Sequence, residues 1–206
     1  MHQTRQQVSK RIPISRKGTK YVARAANDPS NAVPVVIAVR DMLKLARTAR
    51  EVNEMIKQKL LKINGRVVYH PNESVKLFYL LEAGKTYSLQ LLPTGKFGFI
   101  ETKDTTHRLV KVIGKKKITG NKTQLHLHDG TNLISTDKIN IGDSLYIDLS
   151  SKIKKHLPLE KGKSIFIIAG KYQGNTAKVE TVEGKIVTIT IDGGKKTVAN
   201  RSVIVQ

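Results

Sequence analysis

The amino-acid sequence predicts an α+β protein built from several small domains. One stretch that begins near residue 35 repeats its apolar residues with a period of about 3.6, as a helix does, whereas much of the rest alternates apolar and polar residues. Glycine-containing turns separate these alternating runs, which is typical of short strands. The length of 206 residues suits one to three small domains, and a hydrophobic content of 39% is enough to build their cores.

The charge of the chain indicates a polyanionic partner. The sequence carries 37 Lys and Arg against 16 Asp and Glu, a net charge of +21. Phosphates relieve the resulting self-repulsion and release counterions, so nucleic acid is the expected partner. An anionic membrane would attract the same charge, but no apolar stretch is long enough for a spanning helix. The N-terminal segment lacks the apolar region of a secretory signal, so we expect an intracellular, cytoplasmic protein.

The absence of cysteine limits the chemistry of the chain. It excludes disulfides, cysteine-ligated zinc and thiol nucleophiles. His126 and His128 alternate on a predicted strand beside Asp129 and could share one face, but a closed metal site needs more ligands. No P-loop or hydrolase motif occurs. We therefore expect no enzyme activity, no cofactor, no metal and no small-molecule substrate.

Residues 1–32 are predicted to form a basic N-terminal arm. Its positive residues face a single acid, Asp28, and its apolar residues are too scattered for a core. Two interpretations remain open. The arm is a disordered tail, as its composition favours, or an extended segment that becomes ordered against phosphates.

Residues 33–80 are predicted to form two helices and a hairpin. Pro34 suits the first helical position. The predicted apolar face of the first helix consists of Val35, Val36, Val39, Met42, Leu43 and Ala46. On the opposite side, Arg40, Lys44 and Arg47 form a basic stripe.

The second helix is predicted to begin at Thr48, with Glu51 completing a capping box. Its predicted buried face consists of Val52, Met55, Ile56 and Leu60. The alternation from Leu61 to Val68 is interrupted by Asn64-Gly65, a strong signal for a two-residue hairpin turn.

The remaining residues are predicted to form strands in two domains, a central β domain over residues 81–158 and a small barrel over residues 159–206. The predicted central strands are Tyr87 to Leu91, Phe97 to Glu101, Leu109 to Ile113, Thr123 to Leu127 and Ser144 to Leu149. Residues 115–117 are three lysines, predicted to lie at a loop tip, and residues 151–162 are predicted to be a basic connector. Five short strands in the last segment, with a turn at residues 192–194, fit an SH3-like barrel.

Two motifs carry a family resemblance. Lys59, Leu61, Ile63, Asn64, Gly65 and Val68 match the end of the alpha-L RNA-binding module, with lysine at the position where the module usually has glycine. The segment Gly162 to Val179 resembles a KOW element, in which glycines let a tight loop approach RNA closely. Preceded by a basic arm and separated by a central β domain, these motifs resemble the archaeal and eukaryotic small-subunit ribosomal protein S4e family. Further runs resemble this family: residues 12–20, 34–49, 124–130, 141–143 and 156–160.

The resemblance implies a structural constituent of the small ribosomal subunit that supports assembly and translation. The archaeal type is favoured, because the longer C-terminal tail of eukaryotic members is missing. We expect binding to folded ribosomal RNA through phosphate and 2′-hydroxyl contacts, proximity to other ribosomal proteins, and no homo-oligomer. The predicted RNA-binding residues are Arg11, Arg16, Lys17, Lys20, Arg24, Arg40, Lys44, Arg47, Arg50, Lys57, Lys59, Lys62, Arg66, Lys115, Lys116, Lys117, Lys171 and Tyr172.

Two alternatives remain at this point. KOW barrels also occur in transcription-elongation proteins, and a basic chain suits a nucleoid protein too. Some alpha-L proteins are RNA-modifying enzymes, but those carry a catalytic domain larger than these segments provide.

Overall fold

The computed structural model describes residues 1–118, 120, 122–191 and 194–206, and it divides into two compact units, residues 1–105 and 106–206. Both α-helices lie in the first unit and both units contain β-sheets, so the α+β class is confirmed. The turn predicted at Asp192 and Gly193 lies outside the described residues.

The N-terminal segment folds back on the first unit. Strand β1 (His2–Thr4) pairs antiparallel with β2 (Tyr21–Ala23). Ile12 is only 4% exposed and Ala25 is also buried. The interpretation as a disordered or simply extended arm is therefore corrected, because scattered apolar residues gain burial from the rest of the unit and need no core of their own.

The first helix is shorter than predicted. Strand β3 (Ala32–Pro34) pairs with β6 (Ser74–Lys76) and leads into α1 (Val35–Ile37), which continues as a π-helical segment over Ala38–Met42. Pro34 precedes the helix with extended backbone angles and is not its first residue. The run Val35–Val39 is buried on all sides, and Lys44 takes a positive φ of 56°. The basic stripe predicted along this helix is therefore wrong, since Lys44 and Arg47 follow its end.

The second helix, α2 (Ala49–Lys57), begins where predicted. The Thr48 hydroxyl accepts a hydrogen bond from the Glu51 amide at 3.2 Å. The Glu51 carboxylate accepts from the Arg47 amide at 2.8 Å, and this bond together with that from Thr48 lowers the pKa of Glu51. Val52 and Ile56 are buried, but Leu60 is 52% exposed, so its predicted burial is wrong.

Lys59 ends α2 in a conformation that normally favours glycine. Its amide donates to the Ile56 carbonyl at 2.9 Å, and the Leu60 amide donates to the Met55 carbonyl at 3.0 Å. This pair of bonds is a Schellman motif, in which the residue after the cap is left-handed. Lys59 has a φ of 57°, so a side chain occupies the position where glycine is least strained.

The predicted hairpin joins the main sheet of the first unit. Asn64 and Gly65 have φ values of 50° and 75°, as a two-residue primed turn requires. The sheet order is β5 (Arg66–Val67), β4 (Leu61–Ile63), β7 (Leu80–Ala83), β8 (Lys85–Leu91) and β9 (Phe97–Glu101). Since β4 pairs with β7, the domain boundary predicted at residues 80–81 falls within this sheet, and the four-part division remains a prediction.

The second unit begins with a five-stranded antiparallel sheet. Its order is β12 (Asn132–Ser135), β11 (Lys122–Leu127), β10 (His107–Ile118), β13 (Ser144–Asp148) and β14 (Ile153–Leu157). Val110, Val112, Leu125 and Leu145 lie in its core. Two predictions are corrected: the three lysines at 115–117 lie within β10, where they pair with β11, and part of the predicted basic connector is β14.

The last segment forms the five short strands that the sequence predicts. The sheet order is β18 (Gly194–Ala199), β17 (Ile186–Ile191), β16 (Thr176–Glu183), β15 (Ser164–Ile167) and β19 (Val203–Val205). Ile165, Val187, Ile189 and Val205 are fully buried on one face. In β16, buried Ala177 and Val179 alternate with exposed Thr176 and Lys178, which explains why period-two patterning located this strand.

Lys111 connects the two sheets of the second unit. Its side chain extends from β10 and is 2% exposed, and its ammonium donates to the Val203 carbonyl at 2.6 Å and to the Asn200 carbonyl. The neighbouring Ser144 hydroxyl accepts from the Val205 amide at 2.8 Å. Burial lowers the pKa of Lys111 to about 8.

We expect the Lys111 ammonium to make stability depend on pH. Its folded pKa of about 8 lies below the ordinary value of 10.5, so between these values the unfolded chain binds more protons at this site. The free energy of unfolding of the wild-type protein, relative to Lys111→Met, should rise with pH in this interval by at most about 1.4 kcal/mol per unit. Urea unfolding at several pH values measures the difference, and a pH-independent difference contradicts the expectation.

We expect Lys59→Gly to stabilise the protein. Relief of the left-handed strain should raise the free energy of unfolding by about 1 kcal/mol, less the extra chain entropy of glycine. Chemical denaturation measures the change. Lys59→Ala is the matched control, because it removes the charge and keeps the strain; a gain of equal size in Lys59→Ala would mean that charge, and not backbone strain, limits stability here.

Candidate nucleic-acid interface

The first unit contains a cleft of about 1030 Å³. The loop over residues 13–15 and 19–23 forms one wall, and the segment over residues 40–49 forms another. Asn53 of α2 and the pair Pro71 and Asn72 complete the lining. Cations, an aromatic ring and amide groups therefore border a single concave site.

Arg5 holds the loop wall in place. Its guanidinium donates to the Thr19 carbonyl at 2.8 Å, to the Thr19 hydroxyl at 3.1 Å and to the Ser15 carbonyl. Gly18 lies against it with a φ of 142°, and a Cβ at this position would stand 2.7 Å from the guanidinium. Glycine is favoured here because this φ is strained for residues with a side chain, and a Cβ would also crowd the arginine.

Arg40, Lys44 and Arg47 supply the positive charge of the opposite wall. Arg40 is half-buried and donates two hydrogen bonds to Asp41, at 2.9 and 2.7 Å, which raise its pKa. Lys44 and Arg47 are exposed, and among the described residues neither makes an ion pair. The tertiary structure thus brings the three predicted cations together although they do not share a helical face.

Tyr21 contributes an exposed aromatic ring to the cleft. It is 51% exposed. The His2 ring meets it edge-on at a centroid distance of 4.9 Å, and the Lys20 ammonium lies over it at 5.3 Å. Lys20 thus covers one face of the ring, and the exposed remainder of the side chain is accessible to a partner.

The other predicted residues of the N-terminal segment are spread around this cleft and beyond it. Arg11 donates to the Asn31 side chain at 2.9 Å, which makes it partly structural. Arg16, Lys17 and Arg24 are exposed. Their positions are compatible with phosphate contacts, which remain a prediction for each residue.

Several predicted cations of α2 and the hairpin are paired with acids. Lys57 lies 2.9 Å from Glu54. Lys62 lies 3.7 Å from Glu82, and Arg66 contacts Glu73. The remaining two, Arg50 and Lys59, are exposed. Pairing reduces the charge that a residue offers to phosphate, so the unpaired cations are the stronger candidates.

The second unit presents two further groups of predicted residues. Lys115, Lys116 and Lys117 are exposed on the ribbon formed by β10 and β11. In the loop between β15 and β16, the Lys171 ammonium lies over the Tyr172 ring at 5.9 Å, and the tyrosine is half-buried.

The histidine pair of the second unit serves the fold. His126 shares a hydrogen bond of 2.7 Å with Asn132, and His128 accepts from the Lys111 amide at 3.1 Å. Asp129 contacts Arg108. Burial alone would raise the pKa of Asp129, but hydrogen bonds from Thr131 and the charge of Arg108 outweigh it and lower the pKa.

Sequence reasoning missed four contributors to the cleft: Arg5, Tyr21, Asn53 and Asn72. A lysine followed by an exposed tyrosine in a basic segment could have singled out Tyr21, since stacking rings commonly accompany cations in nucleic-acid sites. The other three gave no local signal, because only the tertiary structure brings them together.

Comparison with known proteins identifies the family. Residues 83–153 match the ribosomal family S4e. Small ribosomal subunit protein eS4 of Methanocaldococcus jannaschii is 32% identical over an alignment of 218 residues, which covers 95% of this chain and 89% of the relative. The eS4 protein of Korarchaeum cryptofilum is 33% identical over 180 residues, which cover 82% of this chain and 77% of the relative. The chain belongs to the eS4 family.

A solved member of the family supports the fold. The crystal structure of the 30S ribosomal protein S4e from Thermoplasma acidophilum matches with a TM-score of 0.75 and 26% identity, covering 85% of this chain and 94% of that chain. Family membership confirms the resemblance found in the sequence and the prediction that the chain is not an enzyme. Within the described residues, no helix is long and apolar enough to cross a membrane.

We expect Gly18→Ala to disturb the cleft wall through Arg5. An alanine is strained at a φ of 142°, and its methyl group should also displace the guanidinium, so the free energy of unfolding should fall by about 1–3 kcal/mol. A double-mutant cycle with Arg5→Ala, measured by urea unfolding, checks the cause. The two changes should cost less together than the sum of their separate effects, and additive losses would contradict a shared mechanism.

Proposed function

We propose that this protein is a structural constituent of the small ribosomal subunit that binds folded ribosomal RNA through its basic surfaces. Membership of the eS4 family carries the proposal, since the relatives are named as small ribosomal subunit proteins. A net charge of +21 supports it, because each neutralised phosphate releases a counterion. Neighbouring ribosomal proteins are the further partners, and the protein is not expected to homo-oligomerise.

The proposal extends to the parts of the fold. Helices α1 and α2 with the β4–β5 hairpin support an alpha-L RNA-binding module over residues 33–80. Strands β15 to β19 support an SH3-like KOW barrel over residues 159–206, with a central β domain over residues 81–158 between them. In the barrel, Lys171 and Tyr172 place a cation beside a ring at the glycine-containing loop.

Binding would depend mainly on contacts to the RNA backbone. The exposed cations of the first unit and the lysines of the β10–β11 ribbon suit phosphates of any sequence. Arginine and lysine neutralise backbone charge without reading bases, so recognition would follow the shape of the folded RNA. A transcription-elongation role and an RNA-modifying activity are not favoured, because the relatives are ribosomal proteins.

We expect the triple variant Arg40→Ala/Lys44→Ala/Arg47→Ala to bind small-subunit ribosomal RNA more weakly. The slope of the logarithm of the binding constant against the logarithm of salt concentration should fall by roughly two, at about 0.7–0.9 per lost phosphate contact. Lys44 and Arg47 should account for most of the change, because Arg40 is already paired with Asp41. Filter binding at several salt concentrations measures it.

The double variant Lys96→Ala/Lys103→Ala is a charge control, since it removes two exposed lysines of the same unit that do not line the cleft. An unchanged affinity and slope in the triple variant would place the binding surface elsewhere. Co-sedimentation tests the wider proposal: the protein should travel with small subunits through moderate salt, and co-purification with RNA polymerase instead would contradict a ribosomal role.

A further inference from the structure

We propose that the cleft of the first unit binds one unpaired RNA nucleotide, with its base stacked on Tyr21 and its phosphate held by Lys44 and Arg47. The inference rests on the proposed RNA-binding function and adds a ligand class and a site to it. It concerns a single-stranded feature of the RNA, whereas the basic surfaces described above suit any backbone.

The size and lining of the cleft fit a nucleotide. A volume of about 1030 Å³ is at the upper end of the range for small-ligand sites and leaves room for a base, a ribose and a phosphate. A double helix keeps its bases inside the stack, so a concave site of this size can receive a base only when it is unpaired. The lining is also mixed, as a nucleotide requires, because apolar Ile14 and Val36 lie beside the charged groups.

Lys44 and Arg47 lie on one wall of the cleft and the aromatic ring on the other, where the Arg5 guanidinium is engaged by the carbonyls of Ser15 and Thr19. Lys44 and Arg47 belong to the segment that follows α1, while Tyr21 belongs to β2 and the loop wall. A nucleotide has the same polarity, with an anionic phosphate at one end and a flat base at the other. Stacking on an aromatic side chain is the usual way in which proteins hold an unpaired base.

The ring of Tyr21 is preorganised for stacking. The edge-on contact with the His2 ring, at 4.9 Å and an interplanar angle of 71°, limits its orientation. The Lys20 ammonium covers one face of the ring at 5.3 Å, so the base would stack on the opposite face with a cation close to its backbone. A ring fixed before binding loses little conformational entropy when the base arrives.

The floor and the loop wall add specificity and rigidity. Asn53 and Asn72 line the cleft, and amide groups both donate to and accept from the edges of bases. Arg5 acts as a positioning residue, since its hydrogen bonds to Ser15 and Thr19 fix the loop that carries the wall. The site thus combines cations, a stacking ring and base-edge partners on a supported framework.

The test uses the full chain and a single-stranded oligouridine that carries one 2-aminopurine. Stacking of 2-aminopurine on a ring quenches its fluorescence. The wild-type protein should bind the probe and quench its fluorescence. A blunt RNA duplex of equal charge should compete only weakly with the probe for the protein. Tyr21→Ala should lose about fivefold or more in affinity for the probe, together with the quenching, as expected for one stacked base.

Three variants keep the test specific. Tyr21→Phe preserves the ring and should restore affinity and quenching, which a loss of folding in Tyr21→Ala would not explain. Tyr69→Ala is the matched control, because Tyr69 is 71% exposed in the same unit and does not line the cleft. Lys44→Ala/Arg47→Ala should weaken probe binding and lower its salt slope while any residual complex remains quenched.

The outcomes separate this inference from the proposed function. If the protein binds small-subunit ribosomal RNA but Tyr21→Ala leaves affinity and quenching for the probe unchanged, the cleft inference is overturned and the ribosomal function stands. Quenching lost equally in Tyr69→Ala also overturns it. If the wild-type protein fails to bind ribosomal RNA, the proposed function fails, and a probe that is still quenched through Tyr21 would support the cleft as a nucleotide site by itself.

Discussion

Electrostatic repulsion within a chain of net charge +21 is the constraint on which the rest of the structure depends. The few acids are placed where they relieve it locally: Glu73 contacts Arg66, Glu54 contacts Lys57, and buried Asp129 contacts Arg108. Only the Asp129–Arg108 pair is buried on both sides; the other two involve exposed cations, so they neutralise charge but contribute little to stability. Most other cations lie at the surface and remain available to an external anion. Because their charge is kept away from the apolar residues, the cores stay ordered despite the net charge.

Backbone strain and positive charge coincide at the ends of both helices. Lys44 and Lys59 each take the left-handed conformation, with φ values of 56° and 57°. Such positions cost free energy and persist only where the surrounding structure enforces them. In return, each strained turn places an ammonium group beyond a helix C-terminus, where the helix dipole favours a cation. At Lys44 this turn also leads into the segment that lines the cleft. The backbone conformation that follows the first helix therefore also positions part of the candidate interface.

Burial divides the cations of the second unit into two roles. Lys111 and Arg108 lie inside, where the first connects two sheets through main-chain carbonyls and the second balances a buried carboxylate. Lys115 to Lys117, only a few residues farther along the same strand, are exposed. Residues 108–112 of β10 are all buried, whereas residues 115–118 are exposed, so identical residue types are structural in one part of the strand and available to RNA in the next.

Local chemistry allowed the sequence to determine α2 with its Thr48 cap, the Asn64-Gly65 turn, most strands and the family, because caps, turns and period-two alternation depend on neighbouring residues. The tertiary structure alone decided the short first helix, the folded N-terminal segment and the cleft. A buried run such as Val35–Val39 has no amphipathic period, since all its sides meet other parts of the fold. Likewise Arg5, Tyr21 and Asn72 are distant in the chain, and contacts between such residues are selected by global packing, which no local pattern encodes.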